Sequence, residues 1–268
     1  MHLHTDSSWH YAQKISIGGA AAMKVEVWSD LTCPWCGLGI HRLDRAVEQF
    51  AHGGGIEVLH RSFPLDRGIP PGGPTVTMRN FLKQSAGMDD AQVEAAVGRV
   101  EELAGREGLD PYIVRDNNVG NTELAHELLA HATAQGKHTE GWRLFLRAYF
   151  GQARSLFGLE ALLELGGELG LEQRETRQAL TERRYRHRVR DDVRRAQALG
   201  ARGVPFTVID GRHIISGAQE SDTLIRAFQK VWDTSHAPLD RVPPAREAAD
   251  DACGPDGCAA PGADPPGH

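Results

Sequence analysis

The sequence contains few cysteines. Four occur in 268 residues, and none lies between Cys36 and Cys253. A chain of this length can bury a sufficient core without disulfides, and a structural disulfide framework would scatter its cysteines through the fold. The cysteines instead form two close pairs, Cys33/Cys36 and Cys253/Cys258. This pattern favours redox-active or metal-binding thiols in a reducing compartment, so we expect a cytoplasmic protein.

Long apolar runs are also missing. No stretch of about 20 apolar residues occurs, so we expect no membrane-spanning segment and no membrane partner. Residues 1–22 lack the apolar centre of a secretory signal, because three histidines and an aspartate lie among them. These residues are typical of a tag, an upstream start or a disordered arm. Folded structure is expected to begin at Met23.

The chain has no excess of positive charge. Lysine and arginine number 30 against 36 aspartates and glutamates, which gives a formal net charge of −6. The arginine-rich residues 183–195 are a local exception, but Asp191 and Asp192 lie among them, and their spacing is typical of the solvated side of a helix. We therefore expect no nucleic-acid partner.

The opening block of the sequence predicts a β-α-β unit. Residues 25–28 are strand-like, and apolar residues recur at helical spacing over residues 34–50. Three glycines at 53–55 end this helix, and residues 56–63 form a second strand followed by a proline-rich loop. The helix has a length that suits a parallel crossover.

The remaining chain changes character twice. Residues 77–200 have helical periodicity almost throughout, and the strand signal returns in residues 204–209 and 212–217. Asp210-Gly211 between these runs indicates a hairpin. A helix follows over residues 223–232, and the proline- and glycine-rich residues beyond 236 are expected to lack regular structure.

This order predicts an α/β thioredoxin fold, β-α-β plus β-hairpin-α, split by an all-helical insertion domain. The thioredoxin-fold domain would comprise residues 23–75 and 201–235, and the insertion residues 76–200. An N-terminal arm (1–22) and an irregular C-terminal tail (236–268) with the second cysteine pair would flank them.

The strand-to-helix junction carries the motif Cys33-Pro34-Trp35-Cys36. Cysteines three apart lie on one helical face within disulfide range, and proline suits the first helical position. Cys33 would lie at the helix N-terminus, where N–H groups and the helix dipole favour the thiolate nucleophile and lower its pKa. Cys36, one turn further, is expected to be more buried and to resolve the mixed disulfide. Pro34 and Trp35 are candidate substrate contacts.

Other interpretations of the polar residues remain. The motif could form half of a zinc site with Cys253 and Cys258, although the strand-to-helix context favours redox chemistry, and we expect no metal or cofactor. Helix capping explains Asn121 and Thr122 without a substrate role. His126 is interpreted as a structural residue. His60 could tune the thiol or contact substrate, or it could simply be a strand residue.

Several motifs together resemble the DsbA family and its FrnE-like branch. They are Ser29-Asp30, Cys33-Pro34-Trp35-Cys36-Gly37, Arg61-Ser62-Phe63, Asn121-Thr122, Ala125-His126, Gly203-Val204-Pro205-Phe206 and Ser216-Gly217-Ala218-Gln219. The resemblance covers about residues 23–232. It implies disulfide exchange with protein or peptide thiols, and an electron donor or acceptor that the sequence does not identify.

The resemblance also implies a cis-proline at Pro205 opposite the cysteine pair. The backbone of Val204, outside the sheet pairing, would then bind an extended substrate segment. A proline that simply begins a strand is the alternative. Some relatives are glutathione-dependent isomerases or kappa-class transferases with serine in place of the first cysteine. This chain keeps both cysteines, which favours dithiol chemistry. Glutathione-dependent isomerisation or transfer of a small aromatic compound and a zinc-binding or holdase-like role are its alternative functions.

The second pair encloses Gly254-Pro255-Asp256-Gly257. This turn can bring Cys253 and Cys258 within disulfide range. A flexible tail of some twenty residues reaches roughly 25 Å. The sequence therefore predicts that the pair exchanges with the active-site disulfide, as a relay or as a protective second dithiol. An inert local disulfide and a metal-binding tail are the alternatives.

Overall fold

The computed structural model describes residues 23–65 and 68–235, together with 253–254 and 257–258 of the tail. The chain forms two compact units that divide between Trp232 and Asp233. Within the described residues, no helix combines the length and the apolar character needed to cross a membrane.

The first unit begins with the expected β-α-β element. Strand β1 (Met23–Ser29) is followed by helix α1 (Pro34–Gln49), a 3-10 turn at Gly53–Gly55 and strand β2 (Ile56–Ser62). β1 and β2 pair in parallel, with Met23 opposite Ile56 and Ser29 opposite Ser62. The predicted bounds are confirmed to within two residues, because the apolar spacing and the three glycines mark both ends of α1.

The insertion contains seven helices in the described residues. Strand β3 (Val76–Thr77) and helices α2 (Met78–Ala86) and α3 (Asp90–Arg106) precede strand β4 (Asn118–Val119), which pairs with β3. Helices α4 (Glu123–Ala134) and α5 (His138–Leu146) follow, and a π-helical turn, Arg147–Gly151, extends α5. Helices α6 (Leu159–Glu168), α7 (Gln173–Thr181) and α8 (Arg186–Ala198) complete it. Strands β3 and β4 contain two residues each, which is too short for a strand periodicity to show in the sequence.

The chain then returns to the sheet. Strands β5 (Phe206–Ile209) and β6 (His213–Ser216) form the predicted hairpin, and helix α9 (Ser221–Ser235) follows. The sheet order is β2-β1-β5-β6, in which β1 and β5 are antiparallel. Asp210 and Gly211 adopt positive φ angles of 48° and 69° in the turn, as expected for residues that tolerate the left-handed region.

Each face of the sheet packs against different helices. Val25 and Val27 of β1 pack with α1 and α9 in one cluster. Trp28, on the opposite face, packs with Ala196 of α8 and with Phe206. A larger core fills the insertion and extends to Leu38 and Ile40 of α1. Alternation along β1 therefore places the sheet between the α1–α9 layer and α8.

Most of the arginine-rich segment is exposed, as expected for the solvated side of a helix, but two of its arginines bind buried carboxylates. Arg195 donates to Oε2 of Glu26, a β1 residue that is only 2% exposed. Arg183 precedes α8 with a φ of 53° and forms ion pairs with Glu123 and Glu127. The buried carboxylates that these arginines neutralise lie far away in sequence, so spacing within the segment could not reveal them.

The second unit contains a short pair of strands. β7 (Cys253–Gly254) and β8 (Gly257–Cys258) are antiparallel, with Cys253 opposite Cys258. The expectation that the tail lacks regular structure is wrong for these four residues. The pairing of Cys253 with Cys258 agrees with the predicted approach of the two cysteines.

Candidate active site

Cys33 and Cys36 lie at the N-terminus of α1, after a three-residue turn that follows β1. Cys33 is the N-cap residue with extended φ and ψ angles of −84° and 114°, and Pro34 opens the helix. The carbonyl of Cys33 accepts hydrogen bonds from the N–H groups of Cys36 (2.9 Å) and Gly37 (3.2 Å). The helix thus begins directly after Cys33, and proline at the first helical position needs no N–H partner.

The two thiols differ in exposure. Cys33 is 7% exposed and Cys36 is fully buried. Burial raises the pKa of the Cys36 thiol well above its usual range, and the adjacent Cys33 adds to the shift. Cys36 therefore stays protonated at neutral pH, as suits a resolving thiol that must not compete with Cys33. The expected order of burial is confirmed.

Pro205 lies beside Cys33 as the resemblance implied. The Val204–Pro205 peptide bond is cis, and the sulfur of Cys33 lies 3.9 Å from the carbonyl oxygen of Val204. β5 begins only at Phe206, so Val204 lies outside the ladder. Trp35, between the cysteines, is 39% exposed. An accessible backbone segment and an exposed aromatic ring thus flank the sulfur.

Asp30 is a fully buried carboxylate three residues before Cys33. Its Oδ1 accepts hydrogen bonds from the backbone N–H and the hydroxyl of Thr32, both at 2.7 Å. Its Oδ2 accepts from the N–H of Leu65 (2.7 Å) and from the hydroxyl of Thr122 (2.9 Å). A backbone hydrogen bond to Asp30 lowers the pKa of Cys36, and the charge of the Asp30 carboxylate raises it, so the two effects oppose each other. One side chain thus joins the cysteine loop, the loop after β2 and the insertion.

The insertion contacts the first turn of α1 directly. The hydroxyl of Tyr112 donates to the carbonyl of Pro34 at 2.5 Å, and its ring stacks on Phe150 at 4.7 Å. A Cβ atom on Gly37 would lie 2.3 Å from this hydroxyl. Glycine after Cys36 is therefore required by the close approach of Tyr112 and Phe150.

A second glycine admits the segment that carries Pro205. A Cβ on Gly39 would lie 3.0 Å from Pro205 Cγ and 3.3 Å from Ala218 Cβ. The buried guanidinium of Arg42 donates to the carbonyl of Ala218 (2.7 Å) and to the carboxylate of Glu107. α1 is thereby held to both the insertion and the loop before α9.

Comparisons with known proteins agree with this geometry. Residues 24–229 match the family of DSBA-like thioredoxin domains. The chain belongs to this family. It is 38% identical to a probable DsbA oxidoreductase from Streptomyces coelicolor, with a TM-score of 0.76 over 90% of this chain and 100% of that one. The chain has no match among the curated proteins.

More distant structures share the fold alone. A 2-hydroxychromene-2-carboxylate isomerase is 14% identical, with a TM-score of 0.58 over 79% of this chain and 97% of the other. The cytosolic disulfide reductase DsbM from Pseudomonas aeruginosa, crystallised with GSH, is 20% identical, with a TM-score of 0.52 over 78% and 98%. The DsbA-family match and the cysteine geometry identify this protein as a thiol–disulfide oxidoreductase.

The structure also locates the other polar residues that the sequence of this DsbA-family protein brought into question. Asn121 lies one residue before the N-cap position of α4 and accepts from the N–H of Glu123 (3.0 Å). Thr122 makes no capping bond, and the capping interpretation is wrong for it, because its hydroxyl binds Asp30 instead. His60 is buried on β2 and stacks on Trp142 at 5.2 Å, and the buried His126 contacts the same ring. These positions agree with a structural role for His126 and with the interpretation of His60 as a strand residue.

The structure adds site residues that the sequence did not single out: Tyr112, Thr32, Leu65 and Arg42. Tyr112 and Leu65 reach the site from distant segments, and the partners of Arg42 lie far along the chain, so no local motif marks these three residues. Thr32 bonds to Asp30, two residues before it. Gly37 belongs to the family motif, and a glycine at this position indicates that another element packs closely against α1. In the described residues, no group of three or more potential metal-ligating side chains occurs. The side chains of Cys253 and Cys258 lie outside the described part of the chain.

Proposed function

We propose that the Cys33/Cys36 dithiol exchanges with disulfides of protein or peptide clients. The observation that carries this proposal is the 3.9 Å approach of the Cys33 sulfur to the Val204 carbonyl. That carbonyl precedes β5 and can pair with an extended client segment. Trp35 and Pro34, beside the sulfur, would contact the residues next to the client cysteine.

The chemistry follows the usual exchange sequence. The Cys33 thiolate attacks one sulfur of the client disulfide, forms a mixed disulfide and releases the other client sulfur as a thiolate that takes up a proton. Cys36 then loses its proton and attacks Cys33, which releases the second client thiol and leaves the Cys33–Cys36 disulfide. Two electrons pass from the enzyme to the client. Client oxidation is the same sequence in reverse.

We propose that the second pair recycles the first. Antiparallel pairing places Cys253 opposite Cys258, and cross-strand Cα atoms about 4.5–5.5 Å apart are within disulfide range. The Cys253/Cys258 dithiol would reduce the Cys33–Cys36 disulfide and become a disulfide itself, or the reverse, with an external thiol or oxidant completing the cycle. The clustering of all cysteines into two such pairs supports a reducing, cytoplasmic setting.

Insulin reduction and oxidative refolding of a reduced client, each with and without glutathione, test the proposal. We expect turnover in both assays, loss of turnover in Cys33→Ser and accumulation of mixed disulfides in Cys36→Ser. Truncation after residue 240, or Cys253→Ser with Cys258→Ser, should slow multiple turnover without unfolding the domain. If no protein disulfide reacts but a small aromatic compound is isomerised only with glutathione present, the alternative function is correct.

A separate outcome would contradict the relay between Cys253/Cys258 and the active-site pair. If the truncated chain and the double serine variant both match the wild type over many turnovers, and no disulfide between the tail and Cys33 or Cys36 can be trapped, the relay is wrong. Exchange by Cys33 and Cys36 alone would then account for the activity.

A further inference from the structure

A charged groove lies between α8 and the loop that follows β2. Its volume is about 530 Å3, within the size range of ligand pockets. We call it the α8 groove. Its apolar part is formed by Leu65, Val189 and Val193 together with Pro64 and Pro71, and its charged part by Arg186, Arg190 and Arg194 with the carboxylate of Glu123.

The three arginines form one row. They recur every four residues along α8, so they share one face of the helix. Successive arginines lie about 6 Å apart along the axis, at 1.5 Å per residue. In an extended peptide, alternate side chains point the same way and lie about 6.6 Å apart. The row therefore matches a peptide with acidic side chains at every second position.

The row keeps positive charge available. Among the described residues, Arg190 has no ion-pair partner and its side chain is exposed. Arg194 pairs with Asp191, and Arg186 approaches Glu123 at 3.5 Å, a carboxylate that also binds Arg183. Two of the three guanidinium groups thus have a carboxylate partner, and Arg190 has none among the described residues, on a chain whose net charge is −6.

Both walls of the groove continue into the cysteine site. On one wall, the N–H of Leu65 donates to Asp30 at 2.7 Å, and the carbonyl of Asp30 accepts from the N–H of Cys33 at 3.3 Å. On the other wall, α8 ends at Ala198, six residues before Val204, whose carbonyl lies 3.9 Å from the Cys33 sulfur. Both walls of the groove are thus joined to segments that contact Cys33, which places the groove next to the cysteine site.

We propose that the α8 groove binds the client segment next to the reactive cysteine and selects segments with aspartate or glutamate at alternate positions. This inference rests on the proposed function, because it requires protein or peptide disulfides as substrates. The apolar floor of Val189, Val193 and Leu65 suits the backbone and small side chains of a peptide. A nucleic acid would find no aromatic stacking residue among the groove lining.

The test uses three disulfide-bonded, fluorescence-quenched peptides that differ only beside one cysteine, where they carry Asp-Ala-Asp-Ala, Asn-Ala-Asn-Ala or Lys-Ala-Lys-Ala. We expect the wild type to show the highest kcat/KM for the acidic peptide and the lowest for the basic one. Arg190→Glu should lower kcat/KM for the acidic peptide by roughly threefold to tenfold. It should raise kcat/KM for the basic peptide and leave the alkylation rate of Cys33 unchanged.

Two controls isolate the charge at the groove. Arg190→Lys should keep the acidic preference, and high salt should reduce it in the wild type. Arg99→Glu is matched to Arg190→Glu, because Arg99 is an exposed arginine within α3 that does not line the groove. It should leave all three rates unchanged.

The outcomes separate this inference from the proposed function. Equal kcat/KM for the three peptides, or equal effects of Arg190→Glu and Arg99→Glu, would overturn the groove and leave the exchange activity intact. Equal peptide rates together with binding of a single-stranded 12-mer oligonucleotide that Arg190→Glu abolishes would assign the row to nucleic acid. If none of the peptides is turned over, the proposed function fails, and the inference fails with it.

Discussion

Gly37 follows Cys36 in α1, where the insertion leaves no space for a side chain. A Cβ atom there would lie 2.3 Å from Tyr112 Oη and 2.9 Å from Phe150 Cε2. Both rings are buried and stacked, so neither can move away at low cost. The first turn of α1 would have to shift, and with it the position of Cys33 relative to Val204.

We expect Gly37→Ala to lower the free energy of unfolding by about 1–3 kcal/mol, as overpacking of a filled core does. Exchange by Cys33 should slow in parallel. Chemical denaturation and single-turnover reduction of a model peptide measure the two effects. The matched control is Gly98→Ala in α3, where a Cβ meets no atom within 4 Å. It should stabilise the protein by roughly 0.5–1 kcal/mol, and equal effects of the two substitutions would contradict the steric argument.

The raised pKa of Cys36 makes a prediction about pH. Only the thiolate of Cys36 attacks the mixed disulfide, and burial holds this group protonated well above neutral pH. The rate of resolution in a single turnover should therefore rise steadily from pH 6 to pH 9. Stopped-flow fluorescence of Trp35, with Cys36→Ser as the variant that cannot resolve, follows this step. A resolution rate independent of pH would show that deprotonation of Cys36 does not limit it.

At the scale of elements, Asp30 joins the cysteine loop to the insertion through Thr122. The carboxylate accepts four hydrogen bonds, and the one from Thr122 comes from the start of α4. Both residues are buried, at 0% and 1% exposure. Removal of this donor leaves a buried charge with one fewer partner, which is costly in a low-dielectric interior.

Thr122→Val keeps the shape of the side chain and removes the hydroxyl. We expect it to lower the free energy of unfolding by about 1–3 kcal/mol. Thr181→Val is the control, because the Thr181 hydroxyl is exposed and bonds only within α7, so its effect should stay within about 0.5 kcal/mol. Denaturant unfolding compares the two. Equal losses of unfolding free energy in the two variants would show that the hydrogen bond from Thr122 to Asp30 contributes no more to stability than the exposed bond of Thr181.

The elements were largely predictable from the sequence, because their signals are local. Apolar spacing marked α1, three glycines marked its end, and Asp210-Gly211 marked the β5–β6 turn. The cysteine motif itself placed Cys33 at a helix terminus. Residues that meet only through the tertiary fold were not predictable. Thr122 occupies a capping position in sequence, yet its hydroxyl binds Asp30, which lies 92 residues away.

The same limit applies to the partners of α1 and α8. Tyr112 and Pro34 are 78 residues apart, and Arg195 and Glu26 are 169 apart. Such pairs depend on where the insertion helices return to the sheet. A single sequence shows the helical periodicity of these helices but not how they pack against each other. The arginine-rich segment could therefore be predicted as a helix, but the buried carboxylates that its arginines bind could not.

At the scale of the whole molecule, Asp44 gives the folded state a pH dependence. Burial raises the pKa of this α1 carboxyl to about 7, even though Arg143 opposes the shift. In the unfolded chain the group titrates near pH 4. Between these values the folded state binds a proton that the unfolded state does not, so the contribution of Asp44 to stability falls as pH rises from about 4 to about 7.

We expect Asp44→Asn to remove this decline and to raise the free energy of unfolding at pH 8 relative to the wild type. Thermal or denaturant unfolding at several pH values measures the difference. Burial lowers the pKa of His60 to about 3. His60 therefore acts in the opposite sense, and its contribution to stability rises between about pH 3 and pH 6.5 in the wild type and in Asp44→Asn. A variant curve parallel to that of the wild type would contradict the raised pKa of Asp44.

The central claim is that Cys33 is the nucleophile and Cys36 the resolving thiol. It is tested most directly by mass spectrometry of the mixed disulfides that Cys36→Ser and Cys33→Ser trap with a peptide disulfide. We expect Cys36→Ser to accumulate a client bonded to Cys33, and Cys33→Ser to trap none at neutral pH, because Cys36 is buried and protonated. A client bonded to Cys36 in the Cys33→Ser variant, formed at the same rate, would contradict the assignment.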